Sequence, residues 1–277
     1  MHTGTHGTCV NEPTARGLLW RTSRCTQGEI VREKGSPSQL RSVINSSLLL
    51  GGLSSEHLSA VLACGSVHRR QRGRAVLNPG EDATVVLLDG VVASHAVSSS
   101  GTEFIRRLHA AGEAIGLLGV LGYPCANDEL TAQATVQMLR VPGADLRRLI
   151  GKHSEVARAC LRTVTAQLAR SEHEDDLLVG TTTWQRVSLR LLELAERFGQ
   201  AGPSGIHVIG DLTQQELAAW ARVSLESASR ALHGLREAQV IYTGRRELIV
   251  RDLEELRRRA SHRPDDPTWG RLLASIG

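Results

Sequence analysis

The stretch from Asp211 to Val250 constrains this chain more than any other. Thr213-Gln214-Gln215-Glu216 is a capping box, in which the threonine hydroxyl takes the backbone N–H of Glu216 and the glutamate carboxylate reaches back. A short helix is therefore predicted, with Leu217, Ala218 and Ala221 inward, small enough for a second helix to cross closely. Arg222-Val223 forms the turn. Ser224 is an N-cap for a second helix running to about Ala238. That helix buries Ala228, Leu232 and Leu235 and turns Glu226, Ser229, Arg230 and His233 outward. Val240-Ile241-Tyr242 and Glu247-Leu248-Ile249-Val250 read as strands joined through Gly244-Arg245-Arg246, and Asp252 caps a last helix. Two short helices across a tight turn, followed by a hairpin, make a winged helix-turn-helix. The second helix of such a unit fits the major groove and reads bases with its N-terminal residues. Arg230 can donate twice to guanine O6 and N7, and Glu226 can accept from cytosine N4. An i,i+4 ion pair between the two is compatible with that role in the unbound protein. Contacts with double-stranded DNA are expected from Thr213, Gln214, Ser224, Leu225, Glu226, Ser227, Ser229, Arg230 and His233, with Arg245 and Arg246 of the wing on phosphates.

The rest of the chain is organised differently. Residues 1–45 are rich in Gly, Thr, Ser and Arg without periodicity and read as a disordered arm. Over 46–143 short apolar segments alternate with turns: Val85-Val86-Leu87-Leu88, Val91-Val92, Phe104 to Leu108 and Leu130 to Val141, divided by Asp89-Gly90, Ser98 to Gly101 and Ala111-Gly112-Glu113. Strands at intervals of about 8–12 residues predict a sandwich or barrel of the jelly-roll kind. A helical region with a hinge follows over 144–180. There Ala157, Leu161, Val164, Leu168 and Ser171 follow a 4-3-4-3 spacing, which is a heptad seam. Such a stripe packs on a partner helix or on one side of the chain's own core; a two-fold dimer suits it. Dimer contacts are thus expected at Ala157, Leu161, Val164 and Leu168. The winged helix-turn-helix domain occupies 181–263, beginning with a helix from Trp184 to Phe198, then a Gly/Pro loop over 199–205 and a short strand; 264–277 is a tail. The fold class is α+β.

Composition narrows the function. The 277 residues allow two domains, and a net charge of +4 is compatible with a polyanionic partner without requiring one. Five cysteines (9, 25, 64, 125 and 160) include no CxxC pair, which argues against a disulfide framework or zinc knuckle and for a cytoplasmic protein. No apolar run approaches a membrane span, and no signal peptide is evident. GxSxG, P-loop, HExxH and Rossmann glycine patterns are missing, so no enzyme, catalytic residue or metal site is expected.

The stretch from Leu212 to Val250, the turns Pro79-Gly80-Glu81 and Leu88-Asp89-Gly90, and the long linking helix together resemble the Crp/Fnr regulators, over about Leu48 to Arg259. The resemblance implies a cyclic-nucleotide-binding-like N-terminal domain, a homodimer and an RNA polymerase partner. It also implies base contacts from an E-x-x-S-R pattern, matched by Glu226-Ser227-Ala228-Ser229-Arg230. Leu225 stands where the cyclic-AMP branch has arginine, so the Fnr-like subset is the nearer one; Arg222 stands where a turn glycine is common. An effector pocket is expected around Gly116, Leu117, Leu118, Gly119, Asp128, Glu129 and Thr131. In that pocket the ribose glutamate is replaced by Leu117 and the phosphate-holding Arg-Ser pair by Asp128 or Glu129. Carboxylates there repel a phosphate, so cyclic AMP is not expected and any other effector is unspecified. Cys9 and Cys25 are too few for the iron–sulfur cluster of one branch. His95, His109 and His153 read as ordinary histidines rather than haem ligands, and Cys64, Cys125 and Cys160 as small hydrophobes rather than oxidant sensors. The alternative to a regulator is an interaction module whose roll binds a nucleotide or protein and whose winged helix no longer reads DNA.

Overall fold

Aliphatic runs cut by turn residues close into strands, because each run buries one or both faces and each turn reverses it. The computed structural model describes residues 37–97, 101, 103–123, 129–178, 180–208, 212–244 and 247–261. After helices α1 (Pro37–Ser46) and α2 (Ser55–Cys64) come strands β1 (Ser66–Arg70), β2 (Ala75–Leu77), β3 (Ala83–Asp89), β4 (Val92–Val97), β5 (Glu103–His109) and β6 (Ala114–Ile115). A short helix α3 (Leu117–Val120) separates these from β7 (Glu129–Ala132) and β8 (Val136–Pro142). The strands form two antiparallel sheets, ordered β1-β8-β3-β6 and β2-β7-β4-β5. Alternate residues of β3 divide between two cores: Val85 and Leu87 face the interior of the roll, with Val92, Leu130 and Met138. Val86 and Leu88 face outward beneath a helical layer with Leu117, Leu146, Val156 and Cys160.

Residues 37–45 were expected within the arm, but together with Ser46 they form α1. Pro37 begins it, where a missing N–H costs nothing. Ile44 then packs on the core holding Leu49 and Leu50, so tertiary burial overrides a polar local composition. The rest of the arm lies outside the described residues. The helical region is two helices, α4 (Gly143–Lys152) and α5 (Ser154–Leu178), broken at an extended His153.

The C-terminal half contains α6 (Thr183–Phe198), β9 (Gly199–Gly202), β10 (Gly205–Val208), α7 (Gln214–Trp220), α8 (Leu225–Glu237), β11 (Ile241–Gly244), β12 (Glu247–Val250) and α9 (Leu253–Ala260). Its sheet has the order β11-β12-β10-β9. The expected Gly/Pro loop over 199–205 is thus mostly an edge strand, β9. It is held by backbone pairing with β10, which glycine can supply although its propensity argues against a strand. Among the described residues no helix is long and apolar enough to cross a membrane.

A third core joins the halves. Val91, Ala93, Ile105 and Leu108, on the outer face of the second sheet, are buried in one cluster with Leu191, Leu217, Trp220 and Leu235 of the C-terminal helices. Helix α7 lies directly against β5.

Candidate nucleic-acid interface

The local signals act as the sequence predicts. Thr213 accepts from the Glu216 N–H (3.1 Å), while Glu216 Oε2 takes the Thr213 N–H (2.7 Å). Ser224 caps α8 by accepting from Ser227 N–H at 3.2 Å. Leu217, Ala218 and Ala221 are buried, as are Ala228, Leu232 and Leu235. Trp220 and Ala231 join them; an exposed tryptophan would have been the more surprising outcome, since its bulk is the largest apolar area on α7. The turn does tolerate a side chain at Arg222, which takes a left-handed φ of 54°. Its guanidinium lies 5.8 Å from the Phe104 ring of β5 and its carbonyl accepts from Arg186 (3.2 Å), two contacts that hold the strained turn. Helix α6 approaches α8 closely at Gly234, where a Cβ would lie 2.4 Å from the Trp184 ring and would have to displace it.

On α8 the outward residues gather near its start. Glu226 and Arg230 are 80% and 68% exposed, with Oε1 and Nη2 3.9 Å apart. This pair is too loose and too wet to hold either side chain. Leu225 and His233 are exposed beside them, Ser227 and Ser229 half-buried, and Thr213 and Gln214 exposed at the start of α7. At the wing, Arg236 donates to Thr243 Oγ1 (3.0 Å) and ties β11 to α8. Arg245 and Arg246 lie outside the described residues.

Sequence reasoning missed the charged junction behind this face. Arg170 of α5 reaches three carboxylates: Glu193 (2.7 Å) on α6, Glu174 (3.2 Å) and Glu113 (3.3 Å). Glu193 also takes Arg190 (2.8 Å) and Arg197 (2.6 Å). Arg197 in turn meets Glu113 and donates to the Leu108 carbonyl of β5 at 3.1 Å. Arg107 of β5 approaches Glu174 at 3.7 Å. Burial pushes the Glu193 carboxyl up, but Arg190, Arg197 and Arg170 outweigh it and hold it down to about 2. Glu113 is likewise held well below the usual range against its burial, by Arg197 and by its bond from His109. The local signals were the i,i+3 and i,i+4 pairs Arg170/Glu174, Arg190/Glu193, Glu193/Arg197 and His109/Glu113, which look like ordinary surface pairs.

The other expected sites are dispersed. Leu117 is 1% exposed, in the helical layer outside the first sheet. Thr131 shares the outer face of the second sheet with Ala93 and Leu108, and bonds His95 at 2.9 Å. The aliphatic roll interior lies between them, so the structure does not bring these two into one cavity. Gly116 turns β6 into α3, Leu118, Gly119 and Glu129 are exposed, and Asp128 lies outside the described residues. On α5, Leu161 and Leu168 are 61% and 58% exposed, whereas Ala157 and Val164 are half-buried. Buried Cys160 has its thiol pushed up to about 11, which makes it a poor nucleophile. Cys64 is half-buried, and Cys9, Cys25 and Cys125 lie outside the described residues. His109 bonds Glu113 (3.1 Å), and the His153 ring meets that of His57 at 4.7 Å with the planes tilted by 58°. Among the described residues no cluster of three metal-ligating side chains occurs.

A family model for the Crp-like helix-turn-helix domain matches residues 185–259, the segment that carries this interface. The chain is also 27% identical over 191 residues to the CRP-like cAMP-activated global transcriptional regulator of Mycobacterium tuberculosis, covering 68% of this chain and 85% of that protein. The chain is similar to Crp/Fnr regulators, and its residues 185–259 form a Crp-like helix-turn-helix domain. It is also 23% identical, over 190 residues, to Electron transport regulator A of Shewanella oneidensis, covering 67% of this chain and 75% of that one. Its fold matches that of FixK2 from Bradyrhizobium japonicum, with a TM-score of 0.62 at 22% identity, covering 72% of this chain and 98% of that one.

Proposed function

We propose that this Crp/Fnr transcription regulator works as a homodimer that reads duplex DNA with Glu226, Ser229 and Arg230 of α8 and does not depend on cyclic AMP. One observation carries the reading: Glu226 and Arg230 stand exposed at the first turns of α8 while the opposite side of that helix is core. Arg230 supplies a two-pronged donor for guanine and Glu226 an acceptor for cytosine. The exposed Leu161 and Leu168 of α5 are the seam on which a second copy packs. Such a pair would present two reading helices to half-sites about 34 Å apart.

The independence from cyclic AMP rests on the loss of every phosphate- and ribose-binding group at the expected positions. Leu117 is buried, and Glu129 is an acid. RNA polymerase is the partner through which a bound regulator acts, and the cytoplasm its compartment. A gel shift across a salt series on promoter fragments tests the reading. DNA binding must weaken steeply as salt rises, and a chain that binds no duplex would be the interaction module instead. Calorimetry with cyclic AMP should show no heat of binding; micromolar affinity would remove that part.

A further inference from the structure

We propose that Arg170 is the gauge of half-site spacing: it fixes each reading half against the helix on which a second copy packs, and so sets how far apart the two α8 helices stand on DNA. The inference rests on the dimeric DNA-reading role proposed above. It makes Arg170 a positioning residue, remote from the bases.

Three parts of the subunit meet at this side chain. Arg170 belongs to α5, Glu113 to the turn that leads from β5 into β6, and Glu193 to α6 at the root of the reading half. The buried guanidinium reaches both, and also Glu174 one turn along its own helix, at 2.7 Å to 3.3 Å. Burial works against its charge, but Glu193, Glu113 and Glu174 outweigh that and hold the proton more firmly than usual. One turn earlier Gln167 donates to the Ala114 carbonyl of β6 (2.8 Å), so this part of α5 is tied to the roll as well. Between the two ties stands Leu168, exposed on the seam. The dimer contact and the junction thus occupy neighbouring positions on two faces of one helix.

Neither the covalent link nor the shared core supplies this alignment. Helix α5 passes into α6 through Gly180-Thr181-Thr182, and among the described residues a Cβ at Gly180 would meet nothing within 4 Å. The apolar core presses the halves together without preferring a direction, whereas charge-assisted hydrogen bonds fix geometry. Helix α6 then acts as a lever. Glu193 lies about 14 Å along it from Trp184, whose ring closely approaches Gly234 of α8. Helix α8 packs on α6, α7 and β11 and keeps Glu226 and Arg230 exposed, so the junction holds an arrangement in which the reading face is open. One extra base pair between half-sites shifts a half-site by about 3.4 Å and turns it by about 35°. The bonds of the junction cannot follow such a movement, and breaking them strands buried charge.

The test uses the full chain and a palindromic site that it selects from random duplexes. Anisotropy titrations compare that site, the same half-sites with one or two base pairs added to or taken from the spacer, and a duplex with a single half-site. Arg170→Met removes the tie while each carboxylate keeps a partner: Arg190 and Arg197 for Glu193, Arg197 and His109 for Glu113, Arg107 for Glu174. The wild type should lose roughly ten-fold or more on every altered spacer, and R170M should bind all spacers within about three-fold of one another. Binding to the single half-site and self-association in sedimentation should not change. Arg170→Lys keeps the charge and loses the fork; it should fall between the two and carries the test if R170M does not fold. Undiminished spacer preference in the variant overturns the inference, as does an equal loss on every duplex including the single half-site. Tighter binding of R170M to the selected site would make the junction a clasp that holds the reading half back, and overturns it too. A wild type that selects no duplex brings down the reading by α8, and one that selects only unpaired half-sites brings down the dimer; either takes the inference with it.

Discussion

Arg230 and Glu226 neighbour each other on α8, yet their 3.9 Å separation and high exposure leave the guanidinium available for a base. Arg230→Lys keeps the charge and loses the fork. It should cost about 1–3 kcal/mol of discrimination at one base pair and leave binding to random duplex nearly unaltered. Competition titrations with single-base variants of a selected site measure this, and the melting temperature should not move. Glu193 behaves oppositely, because it is buried among three arginines. Its carboxyl titrates near 2 instead of 4.5. A depressed folded value adds stability above the unfolded value, and that stability is lost as pH falls from about 4.5 toward 2. At ~1.4 kcal/mol per unit the pairing is worth about 3 kcal/mol at neutral pH. Glu193→Gln should flatten urea-denaturation stability across that window, and an unchanged slope would show that the junction does not hold the carboxylate. Of these two residues only Arg230 was legible in the sequence. Exposed polar side chains opposite an apolar stripe announce themselves, whereas Glu113 meets Arg197 from 84 positions away, and no local pattern records that.

At the scale of elements, the legible parts are those whose cause is local. Thr213 and Ser224 start their helices because each hydroxyl has an N–H to take within three residues, and both starts are where the sequence places them. Thr213→Ala should cost about 1 kcal/mol, read from thermal melting, because the hydroxyl's bond from the Glu216 N–H is lost while the backbone N–H of residue 213 keeps the Glu216 carboxylate. Strand β9 and helix α1 were hidden because their causes are remote. The first exists through pairing with β10, the second through the shelter Ile44 finds beneath the roll. Helix α5 was legible as a long helix with a heptad stripe, and the structure divides that stripe, since Val164 packs on the subunit's own core. Val156, Ala159 and Cys160 serve the subunit's own core, while Leu161 and Leu168 face solvent. Leu161→Glu with Leu168→Glu should leave the fold intact and abolish self-association in sedimentation velocity. A persistent dimer would move the seam elsewhere.

For the whole molecule, the sequence divides at about residue 181, but the packing does not. Ala93 and Leu108 of the roll share a core with Leu217 and Trp220, and the buried arginine–glutamate junction straddles the same boundary. The two halves should therefore melt as one unit. Scanning calorimetry should show a single transition, and Leu108→Ala should lower it as a whole, by the roughly 2–5 kcal/mol of a buried leucine truncation. Two separated transitions would show that the shared core is too thin to couple them.

That continuity bears on how such a protein can be taken apart. Transplanting residues 181–263 onto a foreign ligand-binding roll would carry the reading helix intact. It would also leave Leu217 and the Arg222 side chain without Leu108 and Phe104 beneath them. A working chimera would have to import strands β4 and β5 along with the helices, so the portable module here is larger than the part that touches DNA.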